Sequence, residues 1–273
     1  MKVAAIQMVS GTQVEPNLHT ARALLAEAAQ AGAELAVLPE YFCLMGHDDT
    51  DKLALQEPLG RGPIQDWLAA AARELALWIV GGTIPLAQDT PEPDRCRNAS
   101  LAFAPTGERV AVYDKIHLFK FNDGSRVYDE AAVLVPGRRP VWFDLPSRDG
   151  HRWRVGMSVC YDLRFAELYR AYATQGADLL LMPSAFTHLT GQAHWEVLLR
   201  ARAIENLSTV IAAAQGGRHE NGRRTWGQSM VIDSWGQILA ERAEGAGVVM
   251  ADLSAAAVAE RRRQLPALEH RVL

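Results

Sequence analysis

Three side chains that could act together on an electrophilic carbon each follow a predicted buried strand. Glu40 follows the run LAVLP, Lys115 follows VAVYD, and Cys160 follows VGMSV. Taken alone, each has an ordinary explanation: a loop carboxylate, a solvated lysine and a small buried cysteine. Taken together, they supply a base, a cation and a nucleophile, which are the three roles that attack by a thiol requires.

The chemistry of a thiol explains why these three residue types belong together. A cysteine is mostly protonated at neutral pH, because its unperturbed pKa is about 8.5. Glu40 could remove that proton, and Lys115 could stabilise the charge that develops when an amide or nitrile carbon is attacked. The Tyr161 N–H could share that charge, since it follows the nucleophile where a strand turns into a helix. His188 and His194 leave a Cys–His arrangement open, although the papain-type signature is absent.

The elements that must position these residues come as two similar sets. The segment GAELAVLPEYF at 32–42 matches GADLLLMPSAF at 176–186, and each predicts a short strand that is buried on both faces and stopped by proline. Each half also ends in a predicted hairpin, with Gly107 and Gly236 at equivalent turn positions. Ligands bind at the carboxyl ends of strands in α/β sheets, so all three candidate side chains stand at the expected edge.

The matching order of elements predicts an internal duplication. Each half runs strand, helix, strand, helix, strand and hairpin, which favours an α/β fold with two sheets packed face to face and helices outside. Neither half could cover its inner sheet face alone, so we expect residues 1–273 to form one domain. The predicted strands are 3–8, 34–38, 155–159 and 178–182, and the predicted helices are 17–31, 63–76, 164–175 and 191–206.

Composition narrows the class of protein and of partner. The chain has 273 residues, 49% hydrophobic and 22% charged, with a formal net charge of −4. That balance gives no reason to expect nucleic acid or an anionic membrane surface as a partner. Cys43, Cys96 and Cys160 are widely spaced and form no metal or redox motif, which favours a reducing compartment such as the cytoplasm. We identify no signal peptide and no membrane span in the sequence.

Three motifs resemble those of the nitrilase, or carbon–nitrogen hydrolase, superfamily. They are LAVLPEYF around Glu40, YDKIHLF around Lys115 and CYDLRFAELYR around Cys160. The resemblance implies a four-layer α-β-β-α sandwich, which agrees with the predicted pseudo-twofold duplication. It also implies a Glu–Lys–Cys triad of base, oxyanion-stabilising cation and nucleophile, with no metal or organic cofactor. In VYDEAAVLVPG, Glu130 takes the position of a second glutamate that would orient Lys115.

The second half resembles one branch of that superfamily in particular. The segment from LMPSAFTHLTGQAHW onward is similar to amidases that hydrolyse deaminated glutathione, with the ω-amidases that act on α-ketoglutaramate as close relatives. The resemblance implies a small-molecule amide substrate, cleaved through a cysteine thioester to α-ketoglutarate and cysteinylglycine. A nitrilase and a binding protein without activity are the other possibilities. The resemblance also implies a homodimer or a higher even oligomer.

The same segment suggests how a keto-acid substrate would be recognised. Arg164 lies one helical turn after the nucleophile and could bind a substrate carboxylate, or it could form a structural salt bridge with Glu167. Phe186 and Thr190 match positions that line the keto-acid pocket in the deaminated-glutathione enzymes, although Phe186 could equally belong to the core.

Overall fold

A computed structural model describes residues 1–88, 94–122, 124 and 127–272, and these residues form an α/β structure with mixed sheets. The strands of the described part are β1 (Lys2–Gln7), β2 (Leu35–Val37), β3 (Trp78–Val80), β4 (Ile84–Leu86), β5 (Cys96–Phe103), β6 (Arg109–Asp114), β7 (Lys120–Asn122), β8 (Val127–Asp129), β9 (Leu134–Val135), β10 (Trp142–Pro146), β11 (Arg152–Met157), β12 (Leu179–Leu181), β13 (Thr209–Ala212), β14 (Gly216–Arg218), β15 (Arg224–Trp226), β16 (Ser229–Ile232), β17 (Ile238–Arg242) and β18 (Gly247–Asp252).

The helices lie between the strands, as the alternating pattern predicts. They are α1 (Val14–Gln30), α2 (Pro63–Leu75), α3 (Ala166–Thr174), α4 (His188–Asn206) and α5 (Ala255–Gln264), with 3₁₀ helices at Asp51–Leu55, Glu130–Ala132 and Cys160–Arg164. All four predicted helices are present. The largest differences are at their N-termini: α1 and α4 each begin three residues early, and α3 begins two residues late because the tight 3₁₀ turn at Cys160–Arg164 takes up the residues before it.

The two main sheets repeat one strand order, which confirms the predicted duplication. In the first sheet the order β18-β1-β2-β3-β5 places three parallel strands beside an antiparallel hairpin strand. In the second sheet the order β10-β11-β12-β13-β16 does the same. Gly107 at φ +82° turns the β5–β6 hairpin, and Gly236 at φ +83° turns the β16–β17 hairpin. Both turns require the left-handed backbone that glycine adopts without strain.

Alternate residues of the short strands show how the layers are built. In β1, Val3 and Ala5 pack into a core shared with the second sheet, whereas Ala4 and Ile6 pack into a separate core with α1 and α2. A strand points successive side chains to opposite faces, so each face of the first sheet is buried against a different layer. The result is the four-layer α-β-β-α sandwich, with the sheets inside and helices outside. Within the described residues, no helix has both the length and the apolar character needed to span a bilayer.

Candidate active site

Glu40 lies in the loop after β2 and is almost fully buried, with 1% of its surface exposed. Its Oε1 accepts hydrogen bonds from Asn98 Nδ2 at 2.9 Å and from Lys115 Nζ at 2.9 Å. Its Oε2 accepts the Ala185 N–H at 3.0 Å, and the Gln215 side chain binds its backbone carbonyl. These donors come from both halves of the chain, so packing of the two sheets fixes the carboxylate in one orientation.

Lys115 follows β6 directly and is buried between two carboxylates. Its Nζ lies 2.9 Å from Glu40 and 2.8 Å from Glu130. Burial alone would lower the pKa of Lys115, but the charges of Glu130 and Glu40 outweigh it and raise the pKa well above its ordinary value. The side chain is therefore held as an ammonium ion, which is the form that can stabilise an oxyanion.

Glu130 begins a 3₁₀ helix and joins the site as the sequence motif predicts. Its Oε2 accepts the Phe119 N–H at 2.7 Å, and its Oε1 accepts the Tyr41 hydroxyl at 3.0 Å. With Lys115 as a further donor, all four predicted residues of the catalytic group lie together in the described part of the structure. Tyr41 directly follows Glu40, and its hydrogen bond to Glu130 ties the two carboxylates to one loop.

Cys160 lies three residues beyond the end of β11, at a sharp and strained turn. Its φ of +51° places it in the left-handed region that residues with a side chain rarely adopt, and its N–H donates to the Pro183 carbonyl at 3.0 Å. Glu40 is a neighbour of the thiol and interacts with it electrostatically. Burial, with the nearby Glu40 charge, raises the pKa of Cys160 well above its ordinary value, while Lys115 opposes the rise. Cys160 is therefore a thiol at rest.

The next amide along the turn is available to a ligand. The N–H of Tyr161 has no acceptor among the described residues, whereas the N–H groups of Cys160 and Asp162 donate to Pro183 and Val159. An unpaired amide next to the nucleophile is the arrangement that stabilises an oxyanion in acyl transfer.

Asp162 organises the turn and is a residue that the sequence analysis missed. It is fully buried, and its carboxylate accepts the Val159 N–H at 2.8 Å, the Tyr113 hydroxyl at 2.6 Å and the His117 N–H at 3.0 Å. His117 Nδ1 lies 2.7 Å from the same carboxylate. Tyr113 and His117 flank Lys115 in the chain, so Asp162 joins the lysine motif to the nucleophile turn. The signal in the sequence was an acidic residue two positions after the candidate nucleophile, in the CYD motif.

The catalytic group lies in a cleft with an empty volume of about 760 Å³. All the predicted substrate-binding residues line it. The described residues lining the cleft are Glu40, Tyr41, Met45, Asp49, Lys52, Phe119, Tyr128, Asp129, Glu130, Cys160, Tyr161, Arg164, Ala185, Phe186, Thr187, Thr190, Arg223, Arg224 and Thr225.

Arg164 forms no ion pair with Glu167 or any other carboxylate in the described part of the chain. Its guanidinium carbon instead lies 5.7 Å from the Tyr161 ring centroid and 5.6 Å from that of Phe186. One of its nitrogens is 3.3 Å from His194 Nδ1. The arginine is therefore held by aromatic rings in the cleft and keeps its charge uncompensated, as a carboxylate-binding residue requires.

The histidines predicted as alternatives have other contacts. His188 packs edge-on against Trp226, with ring centroids 5.0 Å apart, and His194 lies beside Arg164. The charged groups that act on the Cys160 thiol are Glu40, Lys115 and Glu130. The geometry thus favours the Glu–Lys–Cys arrangement over a Cys–His pair.

Comparison with known proteins places this geometry in a family. The model of the family described as "Carbon-nitrogen hydrolase" matches residues 2–263. The chain belongs to the carbon-nitrogen hydrolase family. As a carbon-nitrogen hydrolase, it is an enzyme that acts on amides, and the family fold confirms the predicted sandwich.

Individual relatives agree with that assignment. The chain is 39% identical to the deaminated glutathione amidase of Synechocystis sp., over 98% of this chain and 97% of that protein. It is 34% identical to the human protein named Omega-amidase NIT2, over 97% of this chain and 92% of that protein. Among solved structures, the NitFhit protein of C. elegans superposes with a TM-score of 0.89 at 33% identity, and this carbon-nitrogen hydrolase covers 99% of its own length and 65% of that chain.

Proposed function

We propose that this carbon-nitrogen hydrolase is a deaminated glutathione amidase, which cleaves the γ-amide to give α-ketoglutarate and cysteinylglycine. The observation that carries the proposal is a buried Cys160 thiol beside Glu40, in a cleft that also presents Arg164 without a carboxylate partner among the described residues. The relative from Synechocystis, which is named a deaminated glutathione amidase, supports this choice of substrate. The whole chain would act as one catalytic domain.

The acylation step uses residues that already touch one another. Glu40 takes the proton from Cys160, and the thiolate sulfur attacks the amide carbon, forming a C–S bond as the carbonyl π electrons move to oxygen. Lys115 and the Tyr161 N–H stabilise that oxyanion. The protonated Glu40 then gives its proton to the amide nitrogen, the C–N bond breaks, and cysteinylglycine leaves with its new amine.

Hydrolysis of the thioester returns the enzyme to its starting state. Glu40 removes a proton from water, the resulting hydroxide attacks the thioester carbon, and the C–S bond breaks to release α-ketoglutarate. The proton held by Glu40 returns to the Cys160 sulfur. Glu130 supports both steps from outside the reacting atoms, because its charge keeps Lys115 protonated and its contacts fix the lysine in place.

Substrate selection in this proposal depends on the acid end of the acyl group. Arg164 would pair with the α-keto carboxylate, and Thr190 and Phe186 would border the same part of the cleft. Thr190 is tied to Thr187 by a 2.8 Å hydrogen bond between their hydroxyls, which holds this border in one conformation.

A second candidate is an ω-amidase that releases ammonia from α-ketoglutaramate. The specific observation in its favour is the 34% identity to the human protein of that name. That substrate presents the same α-keto carboxylate and the same acyl chain, so the arguments from Arg164 and the catalytic group apply to it equally.

Turnover of three substrates tests the proposal. The purified enzyme should hydrolyse deaminated glutathione with a higher kcat/KM than α-ketoglutaramate and a simple aliphatic nitrile, as followed by release of α-ketoglutarate or ammonia. A preference for α-ketoglutaramate would transfer the function to the second candidate. Absence of turnover on both keto-acid amides would refute the substrate class while leaving the family assignment intact.

We also propose a homodimer in the cytoplasm. The outer face of α4 carries three large apolar side chains on one stripe: Leu189, Val197 and Ile204 are 58%, 68% and 49% exposed. Contiguous exposed apolar surface of this kind is typical of protein–protein contacts.

All three cysteines of the chain are free and buried, which agrees with a reducing compartment.

A further inference from the structure

The basic side chains that line the cleft differ in whether they form ion pairs. Four basic side chains of the described residues line it. Arg223 is paired with Asp49 at 2.6 Å, and Arg224 with Glu244 at 2.9 Å. The other two are Arg164 and Lys52, and neither forms an ion pair within the described part of the structure. The cleft therefore presents two cations that have no ion-pair partner among the described residues.

These two cations contact different residues beside the catalytic group. Arg164 packs against the ring of Tyr161, the residue after the nucleophile Cys160. The Nζ of Lys52 lies 4.9 Å from the ring centroid of Tyr41, the residue after the base. Tyr41 in turn bonds to Glu130, whose carboxylate holds Lys115. Each of the two cations is therefore linked to the catalytic group through a tyrosine, Arg164 through Tyr161 and Lys52 through Tyr41.

The proposed reaction indicates which part of the substrate lies near Arg164 and which part lies near Lys52. The acyl group becomes attached to Cys160, so its carboxylate lies toward Arg164. The leaving amine receives its proton from Glu40, so the leaving group lies toward the loop that carries Tyr41 and Lys52. Two smaller cavities, with empty volumes of about 270 Å³ and 250 Å³, also have Tyr41 and Lys52 in their lining.

We infer that Lys52 binds a carboxylate on the leaving group, and that the preferred substrate is an amide with an anionic group on each side of the scissile bond. The inference rests on the proposed function and goes beyond it, because α-ketoglutaramate has no carboxylate on its leaving group whereas deaminated glutathione ends in one.

Two further features of this side agree with an anionic ligand. Burial lowers the pKa of Lys52, and a bound anion would favour its charged form. The buried Nε of Arg223, on the same side, has no acceptor among the described residues. The charges of Asp49 and Glu130 act in the opposite direction on the pKa of Lys52.

A pair of substrates that differ only in one charge tests the inference. Deaminated glutathione and its C-terminal glycinamide share the scissile bond and the acyl group, but the second lacks the leaving-group carboxylate. We expect the wild-type enzyme to prefer the acid by about tenfold in kcat/KM, a typical effect of one charge-assisted hydrogen bond. In Lys52→Gln that ratio should fall to about one, chiefly through KM, and Lys52→Arg should restore it.

Two control variants make the test specific. Arg164→Gln should lower kcat/KM for both substrates by the same factor and so preserve the ratio. Lys120→Gln removes an exposed cation that pairs with Asp129 and should also preserve the ratio. A wild-type ratio near one, or an unchanged ratio in Lys52→Gln, would overturn the inference while leaving the amidase function in place. If the wild-type enzyme cleaved neither substrate, the proposed function itself would be refuted.

Discussion

The protonation states of Glu40 and Cys160 determine whether a thiolate is present before a substrate binds. Both groups have a raised pKa, chiefly because both are buried. The thiol therefore keeps its proton at neutral pH, and Glu40 is the group that must be ionised to remove it. In the proposed mechanism, the thiolate is therefore generated during attack rather than stored as a free thiolate.

Removal of the nucleophile is the first prediction at this scale. Cys160→Ala should abolish turnover, by at least about a thousandfold, because no other group can form the thioester. Circular dichroism should show an unchanged fold, since the side chain is small. Mass spectrometry of the wild-type enzyme, quenched during turnover, should show an acyl adduct on the peptide that contains Cys160. Residual turnover by the alanine variant would contradict the nucleophilic role.

The pH dependence follows from the sign of the Glu40 shift. A base works only when it is ionised, so kcat/KM should fall as the pH falls through the pKa of Glu40. Burial raises that pKa above its usual 4.5, and the charge of Glu130 raises it further. The acid limb of the pH–rate profile should therefore lie above pH 4.5.

Replacement of Glu130 tests the cause of that shift. Glu130→Gln removes one of the charges that raise the pKa of Glu40, so the acid limb should move to lower pH, along with a loss of kcat from a less well-held Lys115. A profile recorded from pH 4 to 9 on both enzymes would measure the shift. Movement of the limb to higher pH would mean that Glu40 is not the titrating base.

At the scale of elements, one buried acid joins two turns that are far apart in sequence. Asp162 holds the Cys160 turn through Val159, and it holds the end of β6 through Tyr113 and His117. The His117 ring also stacks on Phe165, with centroids 3.6 Å apart, which ties the start of α3 to the same cluster. The strained backbone at Cys160 persists because these contacts over-determine it.

Asp162→Asn should loosen that junction. Asparagine offers an amide NH₂ where the carboxylate accepted donors, so at least one buried donor loses its partner, at a cost of about 2–3 kcal/mol in the free energy of unfolding. We expect kcat to fall more than tenfold while KM changes little, because the substrate contacts persist but the thiol is misplaced.

Tyr113→Phe is the matched control for that substitution. It removes one of the hydrogen bonds to Asp162 and should cost about 1 kcal/mol, with a smaller loss of kcat. Urea denaturation measures the stability of each variant, and steady-state kinetics on deaminated glutathione measures the catalytic effect. Wild-type kcat in Asp162→Asn would show that the junction is structural only.

For the whole molecule, the exposed stripe on α4 predicts how two copies associate. Val197 and Ile204 lie seven residues apart and on the same side of the helix, and together they bring apolar surface to the outside of the sandwich. A second copy of the chain would cover this face by a twofold contact, which is the commonest form of association for one kind of subunit.

Charges on that stripe should separate the subunits. The double variant Val197→Asp and Ile204→Glu places two carboxylates per chain in the proposed contact, where they would be desolvated without partners. Sedimentation velocity should show a dimer for the wild type and a monomer for the variant. His19→Asp, on the exposed face of α1, is the control and should stay dimeric. A wild type that sediments as a monomer would refute the proposed contact.

The sequence by itself predicted the duplicated order of elements and the hairpin turns, and it proposed the catalytic residue types. Those features depend on short stretches: a buried strand ended by proline, a glycine where φ must be positive, a cysteine followed at once by polar residues. Cys160 and Lys115 could be assigned because each stands at the end of a local pattern, and because the motifs around them resemble a known family.

Only the tertiary structure decided which side chains complete the site. The backbone N–H that hydrogen-bonds to Glu40 belongs to Ala185, 145 residues away in the chain. The hydroxyl that donates a hydrogen bond to Asp162 belongs to Tyr113, 49 residues away. The proposed roles of Lys52 and Arg164 depend on the absence of an ion-pair partner for each of them among the described residues. Local spacing does not encode such partners, because they are set by how the two sheets pack against each other.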